Sequence, residues 1–391
     1  MAANIAAFNL TYMNGSLPAF LPKDLPDSLE TLQRIENESI ATGLAAPWYM
    51  ASDFVASEYI RPHLIGGYKW HLRLHVVVVS WDPLRLFLSE RDGLVLIATK
   101  PFSFSSEDPL VHLTNADVQA ESNGPTYFQT PLRFVHNLAY LSLIFTNDQL
   151  NIIWRRIREV IMWAFLSVEV PLHYHVHAGM AHPDSCFEYF GVDVILTPQL
   201  RPYLLEVNRF AATAYKTHVE KAVKKAVLVG MFCLVGVRCG SLRDTEEMML
   251  RTRLPEDIYL ALAGTSLSIT APQLPLMPWI RGDVGYFATR EEEVDAALFS
   301  GENGNGWNDM SGDSLEHMFR AVLEYERDIV RSEKTGLRLI YPTIETLSIQ
   351  HRLMDSIDFP TSYGHIALRN WLEWRRRRRH SHQEASQGVR A

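Results

Sequence analysis

Cys186–Asn208 reads CFEYFGVDVILTPQLRPYLLEVN. Two apolar runs, Phe187 to Leu196 and Tyr203 to Val207, flank the polar, doubly proline-marked connection Thr197-Pro198-Gln199-Leu200-Arg201-Pro202, which reads as a β-hairpin. With residues 197 to 202 all in the loop, antiparallel pairing sets Leu196 opposite Tyr203 and Asp193 opposite Glu206. Side chains alternate along a strand, so Asn208 shares a face with Glu206. Asp193, Glu206 and Asn208 then converge as three oxygen donors in an otherwise apolar hairpin. Facing carboxylates repel unless a cation holds them. Mg2+ suits this set, because it is hard, prefers oxygen and takes one or two carboxylates while water and phosphates complete its shell. The same residues also read as a polar sheet edge with one charge on each strand.

Upstream, WHLRLHVVVVS (Trp70 to Ser80) begins with alternation and becomes wholly apolar and β-branched, the pattern of a central strand. Arg85 to Leu88 and Leu94 to Ala98 follow as shorter strands about the turn Glu90-Arg91-Asp92-Gly93, predicting a sheet of three adjacent strands. Between Asp148 and Val170, Leu150, Ile153, Ile157, Val160, Ile161 and Ala164 recur at spacings of three and four, which predicts an amphipathic helix. Further helices are predicted over Tyr215 to Val235, Ser314 to Glu333 and, in the weakly patterned first 50 residues, Ser28 to Glu38. Gly285 to Gly312, with GENGNG among acidic residues, reads as a solvated loop, and Arg375 to Arg379 lead into a polar tail expected to be disordered.

A chain of 391 residues with 47% hydrophobic residues can bury one large core or two medium ones. Its formal charge of -8 argues against nucleic-acid coating, which draws affinity from a basic excess. Cys186, Cys233 and Cys239 lie among apolar neighbours without CxxC spacing, so a reducing compartment is expected and a disulfide framework is not. The N-terminus lacks the regions of a signal peptide, so the sequons at Asn9, Asn14 and Asn37 read as chance matches. The apolar run Ala226 to Val237 is too short to cross a bilayer and reads as the buried part of a helix. His173, His175 and His177 would share one face of a strand, a zinc-like pattern. Lys216, Lys221, Lys224 and Lys225 form a basic helix face, either solvated or facing a polyanion. Trp70, Trp154 and Trp163 are expected in the core.

The hairpin string is similar over its whole length to the metal-binding hairpin of the tubulin tyrosine ligase-like family. YIRPHLIGGYKWHLRLHVVVVSWDPLRLFL (Tyr59 to Leu88) and HLTN (His112 to Asn115) resemble that family's motifs and occur in its order, and EKTGLRLIYPT (Glu333 to Thr343) resembles its closing segment. The resemblance, strongest to the polyglutamylase branch, implies an α/β, ATP-grasp-like fold with mixed sheets flanked by helices. It implies an enzyme that activates a glutamate carboxylate as an acyl phosphate and joins it to an amino acid's amine, using ATP and Mg2+. Carried over by position, Lys69 and Arg73 contact phosphates and Thr114 and Asn115 line the nucleotide site. Asp193, Glu206 and Asn208 hold Mg2+, and Arg73 and Glu206 become the catalytic candidates. Tubulin with its acidic tails and free glutamate are the implied partners. A monomer in the cytoplasm, on microtubules or at a cilium or basal body, is expected, with no membrane and no nucleic acid.

Four departures from the family pattern qualify that activity. His71 stands where the family has an aspartate, Leu96 where it has an arginine, and Ser57-Glu58 where glutamine and a basic residue are usual. Only six residues separate Trp48, the candidate tryptophan of W-x-x-K-P, from Val55, where a glycine-rich phosphate loop is expected. The nucleotide-binding part therefore reads as degenerate or truncated, and a catalytically inactive microtubule-binding or scaffold protein is the alternative. The expected organisation is an incomplete N-terminal part (1–50), a catalytic core (51–240), a C-terminal remainder with the acidic insertion (241–350) and an extension carrying the arginine run (351–391).

Overall fold

The computed structural model describes residues 11–12, 54–55, 59–115, 118–119, 135–179, 186–209, 211–237, 242–254, 312–355 and 361–388. The expectations for Ser28–Glu38, Trp48, Ser57-Glu58, Cys239, the sequons and all but the end of the Gly285–Gly312 loop fall outside those residues.

The sheet is organised on one long strand, β1 (Tyr68–Trp81). β2 (Leu84–Ser89) and β3 (Leu94–Ile97) pair with successive stretches of one edge of β1, at Val76–Trp81 and Trp70–Arg73. β4 (Val135–Asn137) extends the sheet from β3. β5 (Glu188–Leu196) takes the other edge of β1 over Leu72–Val78, and β6 (Pro202–Arg209) pairs with β5 as the hairpin predicts. β7 (Leu337–Tyr341), from the segment read as the closing motif, pairs with β2. Every described ladder is antiparallel. Leu64–Ile65 folds back onto Tyr68–Lys69 through Gly66 and Gly67, whose φ of 57° and 90° suit a two-glycine hairpin turn.

Alternation along β1 divides its side chains between two cores. Trp70, Leu72, Leu74, Val76 and Val78 face α1 (Asn147–Gly179), packing with Ile153, Ile157, Ile161 and Phe165. On the opposite face, Val77 and Val79 pack with Met231 and Leu234 of α2 (His218–Leu234). A capping box starts α2: the Thr217 hydroxyl accepts from the Glu220 N–H while the Glu220 carboxylate accepts from the Thr217 N–H. A second core joins α3 (Leu242–Arg253), α4 (Gly312–Ser332), α5 (Leu347–Met354) and α6 (Tyr363–Gly388) around Leu250, Met318, Val322, Ile366 and Trp371.

Four expectations are corrected. α1 continues through Pro171 to Gly179, so the backbone of His173 to His177 is helical and the strand alternation needed to gather three imidazoles does not hold. Trp163 is 42% exposed. The apolar run of α2 is only half buried: Val227, Gly230, Met231 and Leu234 point inward, while Val229 and Phe232 are exposed because one helix face cannot bury every position. The arginine run lies within α6, and the helical backbone continues to Gly388 through the polar segment expected to be disordered. Arg375 pairs with Glu326, Arg376 with Glu373 at 2.8 Å, and Arg378 lies over the Trp374 ring at 4.8 Å.

Candidate functional site

The α2-facing side of β1 carries Lys69, His71, Arg73 and His75 at alternate positions, a polar row that continues into the apolar Val77 and Val79. Across β5 and β6 the register sets Arg73 opposite Asp193 and Asp193 opposite Glu206. Asp193 and Glu206 therefore meet as predicted, although the register at the turn differs from expectation. Pro202 opens β6 and pairs with Leu196, Tyr203 pairs with Ile195, and an irregularity between Asp193 and Val194 leaves Leu205 without a partner. That bulge absorbs the one-residue offset. Proline is tolerated as a strand's first residue, which is why the loop is one residue shorter than its composition implied.

The guanidinium of Arg73 forks onto Asp193: Nε donates to Oδ1, and Nη2 donates to Oδ2 at 2.7 Å. Nη2 also lies 3.7 Å from Glu206 Oε1. The Asn208 amide donates to Glu206 Oε1 at 2.7 Å. Burial pushes the Asp193 carboxyl up, but His71 and Arg73 outweigh it and hold it well below the usual carboxylate range. Burial raises Glu206, and the neighbouring Asp193 adds to that, against the lowering effects of Asn208 and Arg73. One guanidinium thus serves two carboxylates, and the pair has room electrostatically for a second cation. Gly191 permits the arrangement: a Cβ there would lie 3.2 Å from Ala211 Cβ and 3.4 Å from Arg73 Cδ.

The carboxylates of Asp193 and Glu206, with the amide oxygen of Asn208, form an all-oxygen donor set that fits Mg2+. Among the described residues no cluster of three or more His, Cys, Asp or Glu side chains is placed to hold a metal. A cation at this hairpin would therefore rely on two carboxylates, one amide and oxygens from outside the protein.

His71 links this group to the HLTN segment. Its Nδ1 lies 2.5 Å from Thr114 Oγ1, and its Nε2 lies 3.4 Å from Asp193 Oδ2. Its ladder partner on β3 is Leu96. Two of the positions read in the sequence as departures from the family pattern thus face each other across one pair of strands. Leu96 is buried against Val219 and Val223 of α2 together with Leu94. The strands keep their apolar cover there, and no charge is offered.

Lys69 lies further along the same row. It is buried, its Nζ donates to the Tyr59 hydroxyl at 3.0 Å and sits 4.7 Å from the centroid of that ring. Burial lowers its ammonium to about 8. The Tyr59 hydroxyl in turn lies 3.0 Å from His112 Nδ1, with Phe102 and Phe104 packed on the Tyr59 ring. Asn115 follows at the exposed end of the motif, its carbonyl accepting from the Gln119 N–H.

Sequence reasoning missed Tyr59, His112 and the His75–Tyr189 pair. Tyr189 Oη lies 2.6 Å from His75 Nδ1, and burial lowers His75 to about 3, so its ring is neutral. His112 was within reach of the motif, while the His75 pairing depends on a register between strands far apart in the chain. On the basic face of α2, Lys224 donates to the Ala214 carbonyl and Lys221 lies 5.1 Å from the Tyr215 ring.

The sequence profile of the tubulin-tyrosine ligase family matches residues 27–239. Tubulin polyglutamylase ttll-4 of Caenorhabditis briggsae is 33% identical over 335 residues, covering 81% of this chain and 49% of that protein. Tubulin polyglutamylase TTLL6 of Homo sapiens is 29% identical over 211 residues, 50% of this chain and 23% of that protein. Tubulin monoglutamylase TTLL4 of Mus musculus is 30% identical over 196 residues, 47% of this chain and 16% of that protein. The chain thus spans half or less of these relatives' lengths. The C-terminal domain of K. lactis Pby1, an ATP-grasp enzyme interacting with the mRNA decapping enzyme Dcp2, is a distant likeness: TM-score 0.34, 19% identity, 53% of this chain and 52% of that chain.

Proposed function

Because this chain belongs to the tubulin-tyrosine ligase family, we propose that it is an ATP-dependent ligase of the ATP-grasp class that joins glutamate to glutamate side chains of tubulin. The observation that carries this reading is the convergence of Arg73, Asp193, Glu206 and Asn208 from three adjacent strands on one face of the sheet. In the proposed reaction an acceptor carboxylate oxygen attacks the terminal phosphorus of ATP, the bond to the bridging oxygen breaks and ADP leaves. The amine of the incoming glutamate then attacks the acyl carbon. A C–N bond forms, the C–O bond to phosphate breaks, inorganic phosphate departs and the amine proton passes to solvent or base.

Mg2+, held by Asp193, Glu206 and Asn208, would supply neutralisation of the phosphate charge. Arg73 already spends Nε and Nη2 on Asp193, which fixes its plane and leaves Nη1 as a donor toward a phosphate oxygen. Lys69, lowered by burial to about 8, stays mainly protonated at neutral pH, and an approaching anion raises its pKa again, so ligand binding and its protonation are coupled. Thr114 orients His71, and Asn115 lies at the open end of the same segment, toward the nucleotide. Association with microtubules in the cytoplasm follows from the acceptor.

A second reading, a catalytically silent microtubule-binding or scaffold protein on the same fold, is favoured by one observation. Leu96 fills its place with apolar contacts to α2, so phosphate there meets no cation. An arginine directed at the transferring phosphoryl group is worth roughly a thousandfold or more.

Titration calorimetry of Mg2+-dependent ATP binding to the full chain, with Glu206→Gln alongside, tests the metal assignment; transfer of radiolabelled glutamate to tubulin tests ligation. ATP binding that needs Mg2+, is lost in Glu206→Gln and is accompanied by labelling supports the ligase. The same binding without labelling supports the silent protein. Absence of binding by the unaltered chain refutes the nucleotide site.

A further inference from the structure

A separate cavity of about 600 Å3 opens between the β2–β3 turn, β7, α4 and α6, and it shares no lining residue with the carboxylate hairpin. Two of its lining residues, Arg253 and Arg375, are held by Glu326, whose side chain is fully buried and accepts from three groups. Arg253 Nε reaches Oε2 at 3.0 Å, Trp371 Nε1 reaches Oε1 at 2.8 Å, and Arg375 Nη1 also bonds to Oε1. Glu326 thereby locks these two guanidinium groups side by side. Each keeps about a fifth of its side chain exposed, 22% for Arg253 and 21% for Arg375.

A guanidinium has five N–H donors. Arg253 spends Nε on Glu326 and one Nη1 hydrogen on Glu333 at 2.9 Å, and Arg375 spends one hydrogen on Glu326, so both of these lining residues retain unspent donors. At the rim, Arg338 pairs with Glu90 at 3.4 Å, and the exposed Arg91 and Arg379 add two more positive charges. The lining therefore carries five arginines against Glu90, Glu333 and Glu345. Glu326 is the acid that orients Arg253 and Arg375. Fixed guanidinium donors in a concave site recognise planar or tetrahedral oxyanions through paired hydrogen bonds.

We propose that this cavity is a binding site for a compact oxyanion carrying two or more negative charges, a polycarboxylate or a phosphate. The ligand's oxygens take the spare donors of Arg253 and Arg375, while Arg91 and Arg379 raise its local concentration and close over it. Arg253 and Arg375 also hold the second core together, so their removal would confuse binding with folding. The rim arginines are free of that role.

The experiment is calorimetric titration of the full chain with citrate and, separately, with inorganic pyrophosphate at low salt. It is repeated on the double variant Arg91→Glu/Arg379→Glu and on Lys69→Ala, each checked for folding by circular dichroism. The expected result is saturable binding of at least one anion, retained in Lys69→Ala and weakened about tenfold or more in the charge-reversed rim. Citrate alone binding would assign a carboxylate site and pyrophosphate alone a phosphate site. No saturable binding of either anion would overturn the proposal. So would binding that Lys69→Ala abolishes and the rim variant leaves intact, because it would belong to the nucleotide site.

Discussion

Replacing Arg73 with methionine keeps most of the side chain's length and removes its charge, leaving Asp193 in the sheet without its main partner. The Asp193 side chain is 7% exposed, and His71 Nε2 at 3.4 Å is the nearest remaining cation candidate. Breaking a buried ion pair by deleting one member costs roughly 3–5 kcal/mol, because the stranded charge keeps its desolvation penalty. Arg73 is itself 22% exposed, so water can partly replace it and about 3 kcal/mol is expected. The assay is urea unfolding at neutral pH in a double-mutant cycle with Asp193→Asn, which should recover more than half of the loss because the amide needs no counter-charge. The pH dependence has a definite sign. Asp193 is depressed in the folded state, so its contribution is present above the unfolded carboxylate range near pH 4 and is lost as pH falls below it. The unaltered chain should therefore lose stability more steeply in acid than Asp193→Asn. A loss of less than about 1 kcal/mol in Arg73→Met, or no rescue by Asp193→Asn, would refute the ion pair as the organiser of the hairpin face.

His365 of α6 is fully buried, with Nδ1 3.2 Å from Asp82 Oδ1 and Nε2 3.2 Å from Glu169 Oε1. Burial lowers it, but those two carboxylates win and raise it to about 9. Its contribution is complete below the unfolded pKa near 6.5 and lost as pH rises through 9, on the order of 3 kcal/mol, so the urea midpoint should fall across that window and flatten in His365→Gln. Gly191→Ala should cost about 1–2 kcal/mol and weaken Mg2+-dependent ATP binding, since its methyl crowds Ala211 and the Arg73 stem; unchanged calorimetry would show that Arg73 can shift freely. Leu96→Ala should lower stability by about 2–3 kcal/mol through the void beside Val219 and Val223, and Leu96→Arg by at least as much, as read by thermal melting. Thr217→Ala removes the α2 capping box and should cost about 1 kcal/mol in the same melt.

The hairpin shows how far local chemistry could be read and where it stopped. Apolar alternation fixed which side chains share a face, and the Asp193–Glu206 pairing followed; yet the turn register was one residue off, and the agreement depends on a bulge at Leu205 that no residue type announces. The resemblance gave Arg73 only as an expected phosphate contact, whereas its fork onto Asp193 joins residues 120 positions apart and arises only when β5 takes the free edge of β1. The same limit hid Glu326. The sequence places it only within a predicted helix over Ser314 to Glu333, but α6 brings Trp371 and Arg375 onto it and α3 brings Arg253, making it a buried anchor. Periodicity reports the face a residue takes on its own element and is blind to what the next element lays against it. For this chain that distinction bears on activity. His71 and Leu96 look like two independent losses along the sequence, but in the sheet they are one ladder pair. Restoring either residue alone would place a single new charge opposite a partner that cannot answer it. On the proposed ligase reading, substitutions meant to raise glutamate transfer should therefore change both positions together, with the double variant gaining more than the sum of the two single ones.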